Sequence, residues 1–232
     1  MEITCHQCET VFDRATSHAA RPSRNFCSRG CYYKYMTNDP TLQPSKELAY
    51  ILGVLKGDGY TSKRSIGLCA KDEVFINSFA EALRRVDLEP HFYRVGPKEE
   101  YFDVRVHSKA LSNWLRTLGL EDIEKLVQGE VFTRAFIRGF YESEGCYHVQ
   151  RYSHGNHVDT GVRVQMSNTD RELLELVQRL LNEIGFDFRL SKCTSRPPLK
   201  QEYLLLISRK DIAEKFISTI NPCIKNGVGL NG

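Results

Sequence analysis

The chain has 232 residues, of which 41% are hydrophobic, and its formal net charge at pH 7 is only +3. This length and apolar content predict a globular protein of one large or two small domains. No apolar run approaches the 18 or so residues that a membrane span needs, and the N-terminus lacks the apolar segment of a signal peptide. We therefore expect an intracellular protein, in the cytoplasm or nucleoid or in a eukaryotic organelle, with no membrane partner. The small net charge neither requires nor excludes a nucleic-acid partner.

Four of the eight cysteines lie within the first 31 residues and have the spacing of metal ligands. Two residues separate Cys5 from Cys8, and three separate Cys27 from Cys31. Four thiolates suit tetrahedral Zn²⁺, and a segment of about 40 residues buries too little apolar surface to fold without such a cross-link. The sequence therefore predicts a structural zinc module over residues 1–36.

Three alternatives remain for this module: a redox pair, a chance spacing, and replacement of one cysteine ligand by His6 or His18. Basic residues between the ligands suit contacts to phosphate groups, and Arg24 and Arg29 are the candidate DNA contacts. The other interpretation is the solvated surface of a purely structural finger. A polar stretch with two prolines follows, and it predicts a linker over residues 37–45.

Two segments further along the chain match each other at an offset of 86 residues. The first runs over residues 49–59 and the second over 135–145, and Asp58 in the first is matched by Glu144 in the second. An internal repeat predicts two copies of one structural unit, and an acid kept at the same place in each copy suggests a pair of metal ligands. The two predicted units cover residues 46–127 and 128–232.

Small residues recur every fourth position in both segments, so that Ala49 and Gly53 share one helix face, as do Ala135 and Gly139. Glycine inside a helix costs about 0.5–1 kcal/mol relative to alanine. Small residues on a helix face allow two helix backbones to approach closely. The pattern therefore predicts a helix–helix interface at these four positions, which would bring the two acids together.

Both segments are followed by the same order of strands and helices. Amphipathic helices are predicted from Asp72 to Val86 and from Asp170 to Ile184. Their offset is about 97 residues, and the 11 extra residues predict a longer loop around 148–160 in the second unit. Ser108 and Ser208 are the predicted caps of the last helix of each unit. The prediction is an α+β protein of two αββαββα units whose antiparallel sheets each have one apolar and one polar face.

The polar strand faces carry side chains that reach base edges and phosphates. For any single residue, an ordinary solvated strand face is the alternative. The stretch 189–200 contains basic residues and no acid, which predicts a loop that reaches past a sheet edge. The candidate DNA contacts of the two sheets are Tyr93, Arg105, His107, Arg163, Gln165, Arg189, Lys192 and Arg196.

The segments LGVLKGDG at 52–59 and IRGFYESEG at 137–145 resemble the two signature helices of LAGLIDADG homing endonucleases, over about residues 45–226. The resemblance implies a pseudo-two-fold monomer whose sheets form a saddle on the major groove of a long, asymmetric double-stranded DNA site. It also implies that Asp58 and Glu144, with the carbonyl groups of Gly57 and Ser143, hold Mg²⁺, for which Ca²⁺ can substitute without cleavage.

The resemblance further implies an intron-encoded, site-specific endonuclease that leaves short 3′ overhangs. Carboxylates that hold Mg²⁺ suit phosphodiester hydrolysis because the ion activates water and neutralises charge on the phosphate. Active members of the family keep a basic residue or a glutamine near each metal site, and Lys71 (opposite Asn168), Lys109 and Arg209 are the candidates here. The competing hypothesis is a catalytically inactive DNA- or RNA-binding protein on the same scaffold, such as a maturase or a transcription regulator.

Overall fold

The computed structural model describes residues 2–13, 25–31, 43–154, 157–193 and 200–225, and the predicted linker lies largely outside them. A short hairpin comes first, and two αββαββα units follow. The hairpin strands are β1 (Glu2–Thr4) and β2 (Val11–Asp13). The first unit consists of α1 (Lys46–Lys56), β3 (Gly59–Thr61), β4 (Ser65–Ala70), α2 (Glu73–Arg85), β5 (His91–Val95), β6 (Tyr101–His107) and α3 (Lys109–Thr117).

A short helix, α4 (Leu120–Leu126), connects the two units. The second unit consists of α5 (Glu130–Glu144), β7 (Gly145–His154), β8 (His157–Asn168), α6 (Arg171–Glu183), β9 (Arg189–Lys192), β10 (Tyr203–Ile207) and α7 (Lys210–Ile220). The α+β class and the repeated order of elements are as predicted. In the part of the chain that the structure describes, no helix combines the length and the apolar character needed to cross a bilayer.

Capping side chains set where most of the helices begin. The Ser45 hydroxyl accepts a hydrogen bond from the Leu48 amide at 3.1 Å, and Ser108, Asp72 and Asp170 cap their helices in the same way. The prediction for Ser208 is wrong. Arg209 occupies the cap position of α7 without a capping side-chain bond, and its guanidinium instead pairs with Asp211 in the first helical turn.

Each unit contains a four-stranded antiparallel sheet, with the strand orders β3-β4-β6-β5 and β7-β8-β10-β9. Helices cover one face of each sheet, where Leu68 and Val104 of the first sheet and Met166 and Leu205 of the second are fully buried. The predicted longer loop around 148–160 is wrong. The described residues of this stretch extend the β7–β8 hairpin, whose register continues to the His154–His157 pair, and the β-branched residues Val149, Val158 and Thr160 favour strand pairing.

The two signature helices, α1 and α5, cross with their backbones in contact. A Cβ atom on Gly53 would lie 2.9 Å from the amide nitrogen of Phe140 and would overlap the Phe136 carbonyl. A Cβ atom on Gly139 would lie 2.9 Å from the amide nitrogen of Val54. Only glycine leaves enough space at these two positions, so the crossing fixes how the two units face each other.

Candidate metal centre and nucleic-acid surface

The close contact between α1 and α5 continues to their C-terminal ends, where the two acids lie. A Cβ atom on Gly57 would lie 2.9 Å from the Ser143 hydroxyl oxygen, so the residues that precede the two acids are in contact. Asp58 follows Gly57 directly and is exposed, whereas Glu144 is the last residue of α5 and is half-buried. The helix crossing thus places one carboxylate from each unit at a common edge.

The pKa values of both carboxylates are raised, and the charge of Asp58 contributes to the shift of Glu144. Burial and the charge of Asp58 raise the pKa of Glu144 to about 7, although Asn168 donates a hydrogen bond of 2.9 Å to its Oε1 atom. Although Asp58 is exposed, the protein atoms around its carboxylate exclude part of the water, and this desolvation raises its pKa. The positive charge of Lys225 opposes that rise. Paired acids with raised pKa values favour the binding of a cation between them.

A lysine that the sequence analysis missed reaches this site from beyond the last helix. The Lys225 ammonium donates a hydrogen bond to the Ser143 carbonyl, and the Tyr141 hydroxyl donates to the Lys225 carbonyl at 2.8 Å. Burial lowers the pKa of this lysine, and the charges of Asp58 and Glu144 oppose that effect. No sequence signal marks Lys225, because it lies outside both matched segments.

A buried carboxylate beside the two acids holds this C-terminal segment in place. Glu142 is fully buried and accepts hydrogen bonds from the Tyr50 hydroxyl at 2.6 Å, the Arg138 Nε atom at 2.9 Å and the Cys223 amide at 2.7 Å. Its charge is therefore both paired and hydrogen-bonded, as a buried carboxylate requires. Glu142 links α1, α5 and the C-terminal segment, and it thereby positions Lys225.

The donor atoms at this edge fit a hard divalent cation. Carboxylate and carbonyl oxygens are the ligands that Mg²⁺, Ca²⁺ and Mn²⁺ prefer. The Ser143 carbonyl already contacts a positive charge, that of Lys225, which acts as a stand-in for a metal ion. Asp58, Glu144 and the carbonyl groups of Gly57 and Ser143 would hold the ion.

The basic residues proposed from the sequence lie elsewhere. The Lys71 ammonium lies 4.8 Å from the centre of the Tyr101 ring, Arg209 pairs with Asp211, and Lys109 is the exposed first residue of α3. The alignment of Lys71 with Asn168 is wrong by one residue. Strand register makes Ala70 the equivalent of Asn168, since Gly59 pairs with Leu68 and Gly145 with Met166.

The uncovered face of the first sheet carries an interconnected polar cluster. The Arg105 guanidinium pairs with Asp103 and lies 4.5 Å from the centre of the Tyr93 ring. The Tyr60 hydroxyl donates a hydrogen bond to the other Asp103 oxygen at 2.9 Å, and the His107 ring lies on the same face. The strand pairing thus places Tyr93, Arg105 and His107 on one surface.

The uncovered face of the second sheet is less polar than predicted. Register places Arg163, Gln165 and Arg189 on it, together with two half-buried leucines, Leu204 and Leu206. Lys192 pairs with Tyr203 at the strand end, on the side of the sheet that the helices cover. Arg24 and Arg196 lie outside the described residues, so their predicted DNA contacts stay predictions.

Four thiols converge in the N-terminal module. The Sγ atoms of Cys5, Cys8, Cys27 and Cys31 all lie within 4.8 Å of one another. The Cys8–Cys27 and Cys27–Cys31 sulfur distances are both 3.5 Å. Zinc–sulfur bonds of about 2.3 Å at tetrahedral angles imply sulfur separations of about 3.8 Å, so the cluster fits Zn²⁺. Neighbouring thiols, chiefly Cys31, raise the pKa of Cys27 to about 12, so the thiolate form is disfavoured. A cation bound by the four sulfur atoms would stabilise that thiolate.

Comparison with known proteins supports the resemblance inferred from the two signature helices. A family model described as a LAGLIDADG-like domain matches residues 132–221. An uncharacterized protein of Methanocaldococcus jannaschii, MJ0314, is 30% identical over 176 residues, which cover 72% of this chain and 65% of that protein. A second one from the same organism, MJ0398, is 29% identical over 151 residues, 62% of this chain and 50% of that protein. The chain therefore spans less than two thirds of the length of these curated relatives.

Solved structures extend the likeness to both units. The homing endonuclease I-DmoI in complex with DNA and Mn is 25% identical, with a TM-score of 0.55 over 77% of this chain and 97% of that one. Its complex with DNA and Ca gives a TM-score of 0.56 at the same identity, over 77% of this chain and 90% of that one. Full-length WhiA from Thermatoga maritima shares the fold at 15% identity, with a TM-score of 0.56 over 82% of this chain and 60% of that one.

Residues 132–221 therefore match a LAGLIDADG-like domain, and the chain shares the fold of I-DmoI, a single-chain, two-motif homing endonuclease. An N-terminal four-cysteine cluster accompanies that fold. The same architecture also occurs in WhiA, so the fold alone does not decide between cleavage and binding.

The raised pKa of Glu144 predicts a pH-dependent effect of Glu144→Gln on stability in the absence of metal. Because the folded-state pKa of about 7 exceeds the ordinary glutamate value of 4.5, ionisation of Glu144 disfavours the folded state, and stability is lost as the pH rises through this window. Thermal denaturation in EDTA should find the variant and the native chain about equally stable near pH 4, below both pKa values. The variant should be more stable near pH 8 by about 1–2 kcal/mol, a value reduced for partial solvation of the carboxylate.

Glu124→Gln is a control of opposite sign. A hydrogen bond from Arg179 lowers the pKa of Glu124, so its ionised form favours the folded state, and that contribution disappears on acidification. The Glu124 variant should therefore be slightly less stable than the native chain at neutral pH. A Glu144→Gln difference that does not change between about pH 4 and pH 8 would contradict the assigned environment of Glu144.

Proposed function

We propose that the chain is a site-specific endonuclease that uses a divalent metal ion to hydrolyse both strands of duplex DNA. The observation that carries the proposal is the pair Asp58 and Glu144, brought to one edge by a backbone-to-backbone helix crossing. In this account the protein is an intron-encoded homing endonuclease that acts as a monomer on a long, asymmetric site and leaves short 3′ overhangs. Both acids belong to one chain, so no second copy is needed to complete the site.

The two uncovered sheets support DNA as the substrate. The first presents Arg105, His107 and Tyr93, and the second presents Arg163 and Gln165, side chains that hydrogen-bond to bases and phosphates. The solved complexes of I-DmoI contain DNA with Mn or Ca, and that protein shares 25% of its sequence with this chain. We extend DNA binding to this chain and assign it to the uncovered faces of its two sheets.

The residues at the helix ends have separate tasks in the proposed reaction. Asp58, Glu144 and the adjoining carbonyl groups hold the cation, and Asn168 fixes the orientation of the Glu144 carboxylate through its 2.9 Å hydrogen bond. Bound Mg²⁺ supplies Lewis acidity and lowers the pKa of water. The Lys225 ammonium adds a positive charge at the same edge, which stabilises the negative charge of a phosphodiester brought there by the sheets.

A second candidate function is DNA binding without cleavage. Its specific support is the hydrogen bond from Lys225 to the Ser143 carbonyl, since the ammonium occupies an oxygen that a metal ion would use. The fold shared with WhiA is compatible with either function. In this alternative, Lys225 neutralises the two acids permanently and no metal enters the site.

Cleavage of a randomised plasmid library separates the two candidates. With Mg²⁺, the native chain should linearise a small subset of plasmids, and sequencing of the ends should show 3′ overhangs at one related sequence. Asp58→Asn and Glu144→Gln should each reduce cleavage of that sequence at least about 100-fold, because each removes a charge that holds the cation.

Asp187→Asn is the matched control, since Asp187 is an exposed acid that lies outside the site. Its cleavage rate should stay close to that of the native chain.

Gel-shift binding in Ca²⁺ should persist in the Asp58 and Glu144 variants. Full cleavage by both of these variants would refute the site. Tight binding by the native chain without cleavage in Mg²⁺ or Mn²⁺ would favour the second candidate.

We also propose that the four N-terminal cysteines hold a structural Zn²⁺ ion. The convergence of four sulfur atoms within 4.8 Å supports this proposal. Arg29 lies exposed in the turn between Cys27 and Cys31, where it can contact a phosphate. The module would then add a contact outside the two sheets.

Removal of one ligand should release the zinc. The native chain should contain about one zinc per molecule by elemental analysis, and Cys27→Ser should bind it far more weakly, because a hydroxyl replaces a thiolate ligand. Cys69→Ser is the matched control and should keep the metal, since Cys69 lies on a strand of the first sheet. Equal zinc content in the native chain and the Cys27 variant would contradict a four-cysteine site.

A further inference from the structure

Strand register gives a residue-by-residue equivalence between the two sheets. In the first, Gly59 after the signature helix pairs with Leu68, which pairs with Val104 on β6. In the second, Gly145 pairs with Met166, which pairs with Leu205 on β10. Val104 and Leu205 are thus equivalent, and their neighbours on the uncovered faces can be compared position by position.

The uncovered face of the first sheet holds an arginine in a fixed orientation. Asp103 is buried, and its two carboxylate oxygens are taken by the Tyr60 hydroxyl and the Arg105 guanidinium. The Tyr93 ring packs on that guanidinium at 4.5 Å. Gly67 leaves the space for Tyr60, since a Cβ atom there would lie 2.6 Å from the Tyr60 hydroxyl oxygen.

The arginine retains hydrogen-bonding capacity. Its side chain is 32% exposed, and among the described residues no acceptor contacts its buried Nε–H group. Asp103 offers it only one of its two carboxylate oxygens, because Tyr60 holds the other. A guanidinium has five N–H donors, so Arg105 can still offer two of them to one partner.

The second sheet replaces this whole cluster. Cys146 stands at the position of Tyr60, Gln165 at that of Gly67, Leu204 at that of Asp103 and Leu206 at that of Arg105. Ser191 stands at the position of Tyr93. Leu205 and Ile207 enter the core, whereas Leu204 and Leu206 lie on the uncovered face. An apolar pair therefore occupies the place of an ion pair.

We propose that the two sheets read chemically different half-sites, with Arg105 recognising a guanine and Leu204 and Leu206 contacting thymine methyl groups. This inference rests on the proposed binding of duplex DNA to the uncovered faces. It adds three specificity-determining residues and the class of base that each one selects. The pseudo-symmetric scaffold thereby recognises an asymmetric sequence.

The chemistry of the major groove supports each assignment. Guanine presents the acceptors O6 and N7 side by side, and the arginine fork matches them with two parallel hydrogen bonds. Asp103 and Tyr93 hold the fork before DNA binds, which reduces the entropy lost on binding. Thymine is the base with a methyl group at C5, and apolar side chains contact it.

The residues around the leucines favour an A·T pair. Leu206 pairs across the ladder with Gln165, and glutamine makes two hydrogen bonds to the adenine edge. A thymine methyl group against Leu206 and an adenine against Gln165 would lie within the reach of adjacent side chains on one face. The first sheet has glycine at the position of Gln165, so it cannot offer this combination.

Base analogues test the inference without altering the protein. The preferred duplex is first selected from a randomised library in Ca²⁺. Each guanine of the first half-site is then replaced by 7-deazaguanine, which lacks the N7 acceptor, and each thymine of the second half-site by uracil, which lacks the methyl group. One 7-deazaguanine should weaken binding about 5- to 100-fold, the range for a bidentate base contact, and one or two uracils should each weaken it about 3- to 5-fold, the value of one buried methyl group.

Paired protein variants assign each effect to its residue. Arg105→Gln should abolish the sensitivity to 7-deazaguanine in the first half-site and keep the sensitivity to uracil in the second. Leu206→Ala should do the reverse. Circular dichroism would establish that each variant is folded, and the analogue measurements on the native chain decide the matter if a variant does not fold.

Three results would overturn the inference. Binding of the native chain that is unaffected by 7-deazaguanine throughout the first half-site would refute the role of Arg105. Binding that is unaffected by uracil throughout the second would refute the role of the leucines. The absence of any duplex binding would contradict the proposed function itself, together with the readout that rests on it.

Discussion

Helices α1 and α5 are in backbone contact at Gly53 and Gly139, and the candidate site depends on this contact. Any larger side chain at either position would push the helices apart and separate their C-terminal ends. The same approach brings Gly57 against Ser143, so that Asp58 and Glu144 emerge at one edge. The packing has an electrostatic consequence, because burial and the charge of Asp58 disfavour the ionised form of Glu144 and raise its pKa. A cation between the two acids would stabilise that ionised form.

The sequence predicted most of this framework because the framework repeats. The 86-residue offset, the four-residue spacing of small side chains and the alternation along the strands all follow from local rules. Lys225 escaped prediction because it reaches the acids through a tertiary contact from outside both repeats. The extension of the β7–β8 hairpin around residues 148–160 was predicted to be a loop because an insertion shows in an alignment only as extra length. Leu204 and Leu206 were missed because an uninterrupted apolar strand does not show which of its side chains face solvent.

The two units share the arrangement of their helices and strands but differ in the side chains on their uncovered sheet faces. The strand order is shared by the two units, and in the proposed function their common scaffold brings one acid near each DNA strand. The uncovered faces differ, with an ion pair between Asp103 and Arg105 on one and an apolar pair on the other. Glu142, buried at the helix interface, adds a further asymmetry, since it holds the segment that carries Lys225.

Titration with Mn²⁺, followed by electron paramagnetic resonance of the free ion, tests most directly whether the crossing creates one shared cation site. We expect a site that Asp58→Asn alone and Glu144→Gln alone each weaken strongly, because one ion contacts an acid from each unit. Gly53→Val should also abolish it, and Gly119→Ala should not, since a Cβ atom at Gly119 approaches only the Asp122 side chain, at 3.5 Å. Undiminished Mn²⁺ binding after loss of either acid, or in a folded Gly53→Val chain, would contradict the account.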